Sequence, residues 1–323
     1  MERYAGPTQC PLHEDAILQA LCGKPSLQKL AIIGSLGTHA VGTSLDPKSV
    51  VYPVRGLCVH ATGRWLTCVQ LWRVSNLTSI VLSGDAFLKP SNGPHVRAML
   101  NRSSATLEHL EVPLELAILQ DCRFARLRRL KLRLLSGSNV SIDRSRVQFL
   151  ANNPSIEELA WLPLGCCEVP PDILPKLRRV QTTVDVVRAL CGDGGPPRAF
   201  EALDLERIAE LFPNLIWLKL ARGGVAATPV SSRPADAWLA LLARFPRLET
   251  LRGPLLWAAT AHDKGRMHAL IGRLAQACPR LRALDHCVFY EKRHDWQLIV
   301  LMREADGAGG ESVRYEIRRP PAV

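Results

Sequence analysis

The sequence has few of the features that mark a secreted protein or a membrane protein. Its ten cysteines are scattered and none belongs to a CxxC pair, so neither a disulfide framework nor a zinc site is predicted. No apolar run approaches the roughly 20 residues that cross a bilayer. The opening MERYAGPTQC lacks the apolar segment of a signal peptide. We therefore predict no membrane contact and a cytoplasmic or nuclear location.

The common catalytic motifs are also missing. The chain has no GxSxG, no GxxxxGK[ST], no HExxH and no GxGxxG, which are motifs that place nucleophiles, phosphates, zinc ligands and dinucleotides. The glycine-rich segment 192–195 is followed by two prolines rather than by Lys-Ser, and we interpret it as a turn. The sequence predicts no catalytic residue, no metal ligand and no cofactor, and hence a protein that is not an enzyme.

The charge is positive but is not concentrated in a tail. Lys and Arg number 41 against 30 Asp and Glu, for a net charge of +11, and such a field favours acidic partners. Nucleic-acid sites usually cluster their cations. The basic run at 126–133, RLRRLKLR, lacks the interleaved aromatic residues that stack on bases. A nucleic-acid partner is therefore not the first expectation.

One short phrase, apolar-x-x-apolar-x-apolar, occurs nine times. Its copies begin at Leu27, Leu77, Leu107, Leu127, Ile156, Leu177, Leu215, Leu248 and Leu281. A tenth copy, VRGLCV, begins at Val54. A proline stands two residues before six of the phrases, at Pro25, Pro154, Pro175, Pro213, Pro246 and Pro279. Recurrence at this spacing is typical of a leucine-rich-repeat solenoid.

Segments with helical spacing of apolar residues precede many of the phrases. They are Leu12–Leu21, His95–Asn101, Asp143–Asn152, Val184–Leu190, Leu203–Phe212, Ser232–Phe245 and Gly265–Cys278. Helix and strand in alternation require parallel strands joined by crossovers. We predict an α/β fold: a leucine-rich-repeat solenoid, or horseshoe, with a parallel inner sheet, outer helices and about nine or ten irregular repeats. The whole chain, 1–323, is predicted to be one domain, with the array over 12–317, a loop insert at 36–53 and a C-terminal cap and tail at 306–323.

The passages LFPNLIWLKL, RFPRLETL and ACPRLRALDHC resemble the leucine-rich repeat region of fungal F-box proteins, and ILPKLRRVQTTVDVVRALC is similar to another phrase of that family. In that family an N-terminal F-box binds the Skp adaptor of a cullin-RING ubiquitin ligase, and the repeats hold the substrate. The resemblance implies a substrate receptor. No F-box is visible, because residues 1–11 are too short for that three-helix module. Skp binding is therefore expected only if an F-box lies upstream.

The third and fifth residues of each phrase should face the concave surface, because side chains alternate along a strand. The candidate partner-binding residues at these positions are Arg129, Lys131, Glu158, Arg179, Trp217, Lys219 and Arg252. Arg and Trp are frequent in binding hot spots, and the cations favour a protein partner with an acidic segment. Two alternatives stay open: the cations only keep the surface soluble, or a one-residue shift in strand register turns Trp217 into the core.

The sequence as a whole predicts a protein–protein interaction module that resembles the substrate-recognition repeats of a ubiquitin-ligase receptor. One alternative is a standalone leucine-rich-repeat scaffold with no ligase link. Another is a basic RNA-binding platform, whose affinity would fall steeply with salt.

Overall fold

The computed structural model shows an α/β protein built from mostly parallel strands. It describes residues 28–34, 55–61, 74–113, 117–133, 144–162, 170, 173–183, 186–187, 190, 202–221, 235–252, 263–285, 298–305 and 311–318. The chain divides into two compact units, Met1–Leu127 and Arg128–Val323. The prediction of a single array over the whole chain stays a prediction.

Within the described residues, the first unit contains four strands that pair in chain order, all parallel. Its elements are β1 (Lys29–Gly34), β2 (Gly56–Ala61), β3 (Ser79–Ser83), a 3-10 helix (Asp85–Leu88), α1 (Gly93–Arg102), β4 (His109–Pro113) and a second 3-10 helix (Ala117–Leu119).

In its described ranges the second unit contains eight strands, which also pair in chain order. Its elements are β5 (Arg129–Arg133), α2 (Arg144–Ala151), β6 (Glu158–Trp161), β7 (Arg179–Thr183), α3 (Ala202–Leu211), β8 (Trp217–Ala221), α4 (Ala235–Leu242), β9 (Thr250–Arg252), α5 (Lys264–Ala277), β10 (Ala283–Asp285), β11 (Leu298–Ala305) and β12 (Glu311–Arg318). Strands β5 to β10 are parallel to one another.

Every copy of the repeated phrase forms a strand, and each strand begins at the third residue of its phrase. This holds for the tenth copy as well, because β2 begins at Gly56. The register places third residues side by side, for example Arg129 beside Glu158 and Ser79 beside His109. The predicted strands are confirmed.

The proline before a phrase occupies a tight turn between helix and strand. In five of the described copies the carbonyl of the residue before proline accepts a hydrogen bond from the first amide of the phrase: Asn153 from Ile156 (3.3 Å), Leu174 from Leu177 (3.1 Å), Phe212 from Leu215 (3.0 Å), Phe245 from Leu248 (3.1 Å) and Cys278 from Leu281 (3.0 Å). Proline is the second residue of each turn, where its fixed φ favours the turn and no N–H is needed. The proline therefore ends the helix and directs the chain into the strand.

The core lies on the face of the strands that carries the fourth residues of the phrases. In the second unit Leu130, Leu159 and Leu218 are buried. Ile208 and Phe212, from α3 and the turn after it, line the same small apolar gap as Leu218. Helix α3 and the turn after it thus cover part of this face, and each strand depends on neighbouring elements to bury its apolar residues.

Strands β11 and β12 depart from the parallel arrangement expected for repeats. Strand β11 pairs antiparallel with β10, and β12 pairs antiparallel with β11. Only residues 306–310 connect β11 to β12, whereas a parallel crossover needs a dozen residues or more. The predicted C-terminal cap at 306–323 therefore contains the second strand of a hairpin, and β11 had not been predicted.

The helices agree with the predicted segments wherever these are described. The five helices observed in the described ranges match five of the seven predicted segments. The predicted helix at Leu12–Leu21 and the insert at 36–53 lie outside the described residues, as does most of Val184–Leu190.

Candidate functional site

All seven candidate residues lie in the second unit, on five neighbouring strands, β5 to β9. We call these residues the strand face; they are Arg129, Lys131, Glu158, Arg179, Trp217, Lys219 and Arg252. Each is the third or fifth residue of its phrase, and the parallel register arranges them in two rows across the strands.

The first row consists of third residues of the phrases. Arg129 pairs with Glu158, Glu158 with Arg179, and Arg179 with Trp217; Thr250 follows on β9. Neighbouring strands are about 4.8 Å apart, so the two arginines flank the carboxylate and the indole lies beside the second arginine. The structure thus brings together the residues of this row that the sequence predicted.

The second row consists of fifth residues of the phrases. Lys131 lies beside Ala160 and then Gln181, whereas Lys219 lies beside Arg252. Lys131 is therefore separated from Lys219 by two strands without charge in this row. Lys219 and Arg252 are neighbours, and both are half-buried. The cations of this row are therefore concentrated on β8 and β9, whereas Lys131 has no cationic neighbour in the row.

The exposure of the strand face agrees with the predicted alternation. Arg129 and Arg179 are exposed, and the other five residues are half-buried. Trp217 is followed by Leu218, which has no exposed surface. The alternative prediction, a one-residue shift in strand register that buries Trp217 in the core, is therefore wrong. The indole is partly accessible on the surface.

Glu111 is an exception to the alternation, in the first unit. It is the fifth residue of its phrase and was therefore predicted to face the concave surface, as was His109, but only 6% of its surface is exposed. Its register partner on β3 is Val81, which is half-buried. The alternation rule therefore predicts the row in which this residue lies but not its exposure.

The carboxylate of Glu158 forms an ion pair with Arg179, with 3.5 Å between Oε1 and Nε. The two side chains are 43% and 47% exposed, and an ion pair with this exposure contributes about 0–1 kcal/mol to stability. The pair therefore orients Arg179 more than it stabilises the fold. Among the described residues no ion pair is found for Arg129.

Three charged residues next to the strand face were not singled out from the sequence. Arg128, Glu157 and Arg178 are the second residues of their phrases, and backbone hydrogen bonds of 2.8 Å link Glu157 to Arg128 and Arg178 to Glu157. Arg128 and Glu157 form an ion pair at 3.8 Å. The signal was visible as the dipeptides RR, EE and RR on successive strands. Arginine and glutamate therefore alternate from β5 to β6 to β7 at both the second and the third position of the phrase.

Chemistry outside the strand face is limited within the described ranges. No group of three His, Cys, Asp or Glu side chains there could hold a metal ion. Burial raises the pKa of the Cys278 thiol to about 11, although the coulombic effect of Arg303 opposes the shift. Burial also raises the pKa of Cys122, with Arg97 opposing and Asp121 adding to the rise. Neither thiol forms a disulfide, and burial holds both in the protonated, unreactive form.

The helices that the structure describes are not suited to crossing a bilayer, because none is both long enough and apolar enough. The chain matches no protein-family model, and no curated protein is similar to it.

Proposed function

We propose that the strand face binds an acidic segment of a protein partner and performs no chemistry of its own. The observation that supports this proposal is the register of β5 to β9, which sets five cations and one partly exposed tryptophan on adjacent strands with a single carboxylate among them. A surface that only maintains solubility has no need of the indole in this position.

The residue types favour a carboxylate-bearing protein. A guanidinium presents a planar set of donors that matches a carboxylate in two parallel hydrogen bonds, and Arg129 and Arg179 are exposed on either side of Glu158. Trp217 lies beside Arg179 and offers an apolar contact. Arg and Trp together are enriched in the residues that dominate binding energy. A partner segment that contains acidic and apolar residues fits this surface.

A random-peptide display selection on the full chain tests the proposal. We expect selected peptides to be enriched in Asp and Glu with at least one apolar residue, and to lose about tenfold in affinity on the variant R129Q/R179Q, since two charged hydrogen-bonding partners are removed. Gln is chosen because Glu at both positions would place three carboxylates side by side around Glu158.

A matched control comes from the helical side of the same unit. The variant R207Q/R244Q removes the same charge from two exposed arginines that form ion pairs with Glu210 at 3.3 and 3.2 Å. This control should bind the selected peptides as the unmodified protein does. Equal losses in the two variants, or selected peptides without acidic enrichment, would contradict the proposal.

We further propose that the bound partner is a substrate presented to a ubiquitin ligase. The support is the resemblance of the repeats to those of fungal F-box proteins. The full gene product should capture a Skp-type adaptor in a pull-down, and the strand-face variant should capture it equally well because the adaptor uses another site. Failure of the full gene product to bind the adaptor would favour a standalone scaffold.

The RNA-binding alternative predicts a different result with the same variants. Among the strand-face residues Trp217 is the only aromatic, whereas single-stranded nucleic acid is held by successive stacking platforms. Fluorescence anisotropy with a mixed RNA pool should show only weak binding that falls steeply with salt. Tight RNA binding that persists at physiological salt would replace the protein-binding proposal.

A further inference from the structure

Strand β12 is the last strand in the order of the second unit, and it pairs with β11 along one edge. Among the described residues no strand pairs with its other edge. An unpaired edge presents a row of backbone N–H and C=O groups that can accept another strand. Strand β12 spans eight residues, which is long for an edge left open.

One face of β12 carries an apolar row that is incompletely covered. Val313, Tyr315 and Ile317 alternate along the strand. Tyr315 packs beside His268 of α5, with its hydroxyl 2.8 Å from Nδ1. Ile317 is 49% exposed, although its register partner Ile299 is completely buried. The apolar surface therefore continues to the edge and extends past the helix that covers it.

We propose that two copies of this chain associate by antiparallel pairing of β12 with β12 of the second copy, about a twofold axis at Tyr315. In this register Arg314 of each copy lies opposite Glu316 of the other, and Val313 lies opposite Ile317. The interface is the same patch on both copies, as twofold symmetry requires. The occupant of the open edge is thus a second copy, which supplies both the missing hydrogen bonds and an apolar cover for Ile317.

The charges of β12 favour this register over its neighbours. Residues opposite each other in an antiparallel pair lie on the same face of the sheet. The twofold axis must therefore pass through a residue position and not between two residues, so the neighbouring registers have their axes at Arg314 and at Glu316. An axis at Arg314 sets that arginine against itself. An axis at Glu316 sets that glutamate against itself and Arg314 against Arg318. Like charges directly opposite are destabilising, and the axis at Tyr315 avoids them while creating two pairs of opposite charge.

The same charged residues already form ion pairs within one copy. Arg314 lies 3.6 Å from Glu304, and Arg318 lies 2.6 Å from Glu316. These side chains are 48–71% exposed, and exposed ion pairs are weak, so they can be shared with a second copy. The intrachain pairs also hold the charges along the polar face of β12, where the second copy would meet them.

Sedimentation equilibrium of the full chain over a wide range of protein concentrations tests the proposal. The unmodified protein should show a monomer–dimer equilibrium. Either single reversal, R314E or E316R, should raise the dimer dissociation constant at least about tenfold, because it replaces both pairs of opposite charge by like charges. The double swap R314E/E316R should restore dimerisation, since each new glutamate then faces a new arginine.

A matched control is R280E, which makes the same charge change at an exposed arginine in the turn before β10 and should leave the equilibrium unchanged. Circular dichroism identifies the variants that fold. A protein that stays monomeric at every concentration would overturn the proposal. A dimer insensitive to both single reversals, or one that the double swap does not restore, would overturn it as well.

Discussion

At the scale of single residues, the buried thiol of Cys278 has a property that can be measured directly. Its pKa is raised from the ordinary value of 9.0 to about 11 because burial disfavours the thiolate. We therefore expect iodoacetamide to modify Cys278 far more slowly than the half-buried Cys58 at pH values below about 9. Mass spectrometry of the alkylated protein at several pH values measures this difference. Equal rates at the two cysteines would contradict the assigned burial.

The same pKa shift has a consequence for stability. Between about pH 9 and pH 11 the unfolded chain releases this proton while the folded chain retains it, so the folded state binds more protons. The free energy of unfolding should therefore fall as the pH rises through this window. Urea titrations should show a smaller fall for C278A, measured relative to that variant's own lower starting stability. An identical slope in the two proteins would show that the thiol makes no such contribution.

Individual residues also show where prediction from sequence succeeds. Trp217 was assigned to the surface because it occupies the third position of its phrase, and the register confirms this position. Glu111 occupies an equivalent type of position but is buried. Alternation determines the face of the strand on which a side chain lies, whereas its exposure also depends on neighbours that the phrase does not specify.

At the scale of elements, α5 begins with a side-chain cap that the sequence did not reveal. The Asp263 carboxylate accepts a hydrogen bond from the amide of Arg266 at 2.7 Å. We expect D263A to lower the free energy of unfolding by about 1 kcal/mol, because an amide of the first turn loses its partner. D263N should be nearly neutral, since Asn caps as well as Asp does. Urea denaturation measures both, and equal effects of the two changes would contradict the cap.

The strands that repeat were predictable, whereas β11, which does not belong to a repeat, was missed. The ten strands begin at the same phrase position because the spacing of apolar residues and the proline turn before the phrase are both local signals. Strand β11, Leu298–Ala305, lacks the repeated phrase, and its antiparallel pairing with β12 is favoured by the short connection at 306–310. Arg128, Glu157 and Arg178 are visible in the sequence as parts of the dipeptides RR, EE and RR, but the ladder between strands is what shows that they lie next to one another.

At the scale of the whole molecule, the fold and the proposed function depend on different parts of each phrase. The apolar residues determine the strands and the core, and their spacing can be recognised from the sequence without knowledge of which strands pair. The third and fifth residues of the strand face are accessible and less constrained by packing, so under the proposed function their charges would carry the information about binding. A sequence can therefore predict the rows of the strand face, but the identity of the partner depends on a surface that lies outside this chain.

The net charge of +11 adds a long-range contribution to the proposed binding. A positive field speeds encounter with acidic partners, and the effect weakens as salt screens it. The contacts of Trp217 are less sensitive to salt. A partner held by both kinds of contact should associate more slowly at high salt while it dissociates at a similar rate.

The most direct test of protein recognition by the strand face is zero-length carbodiimide cross-linking of a selected acidic peptide to the full chain. Peptide carboxylates should be joined to Lys131 and Lys219, which lie on the strand face, and an excess of unlinked peptide should suppress these products. Lys89 and Lys176 lie outside the strand face and should not be joined. Cross-links at Lys89 and Lys176 without any at Lys131 or Lys219 would contradict the account.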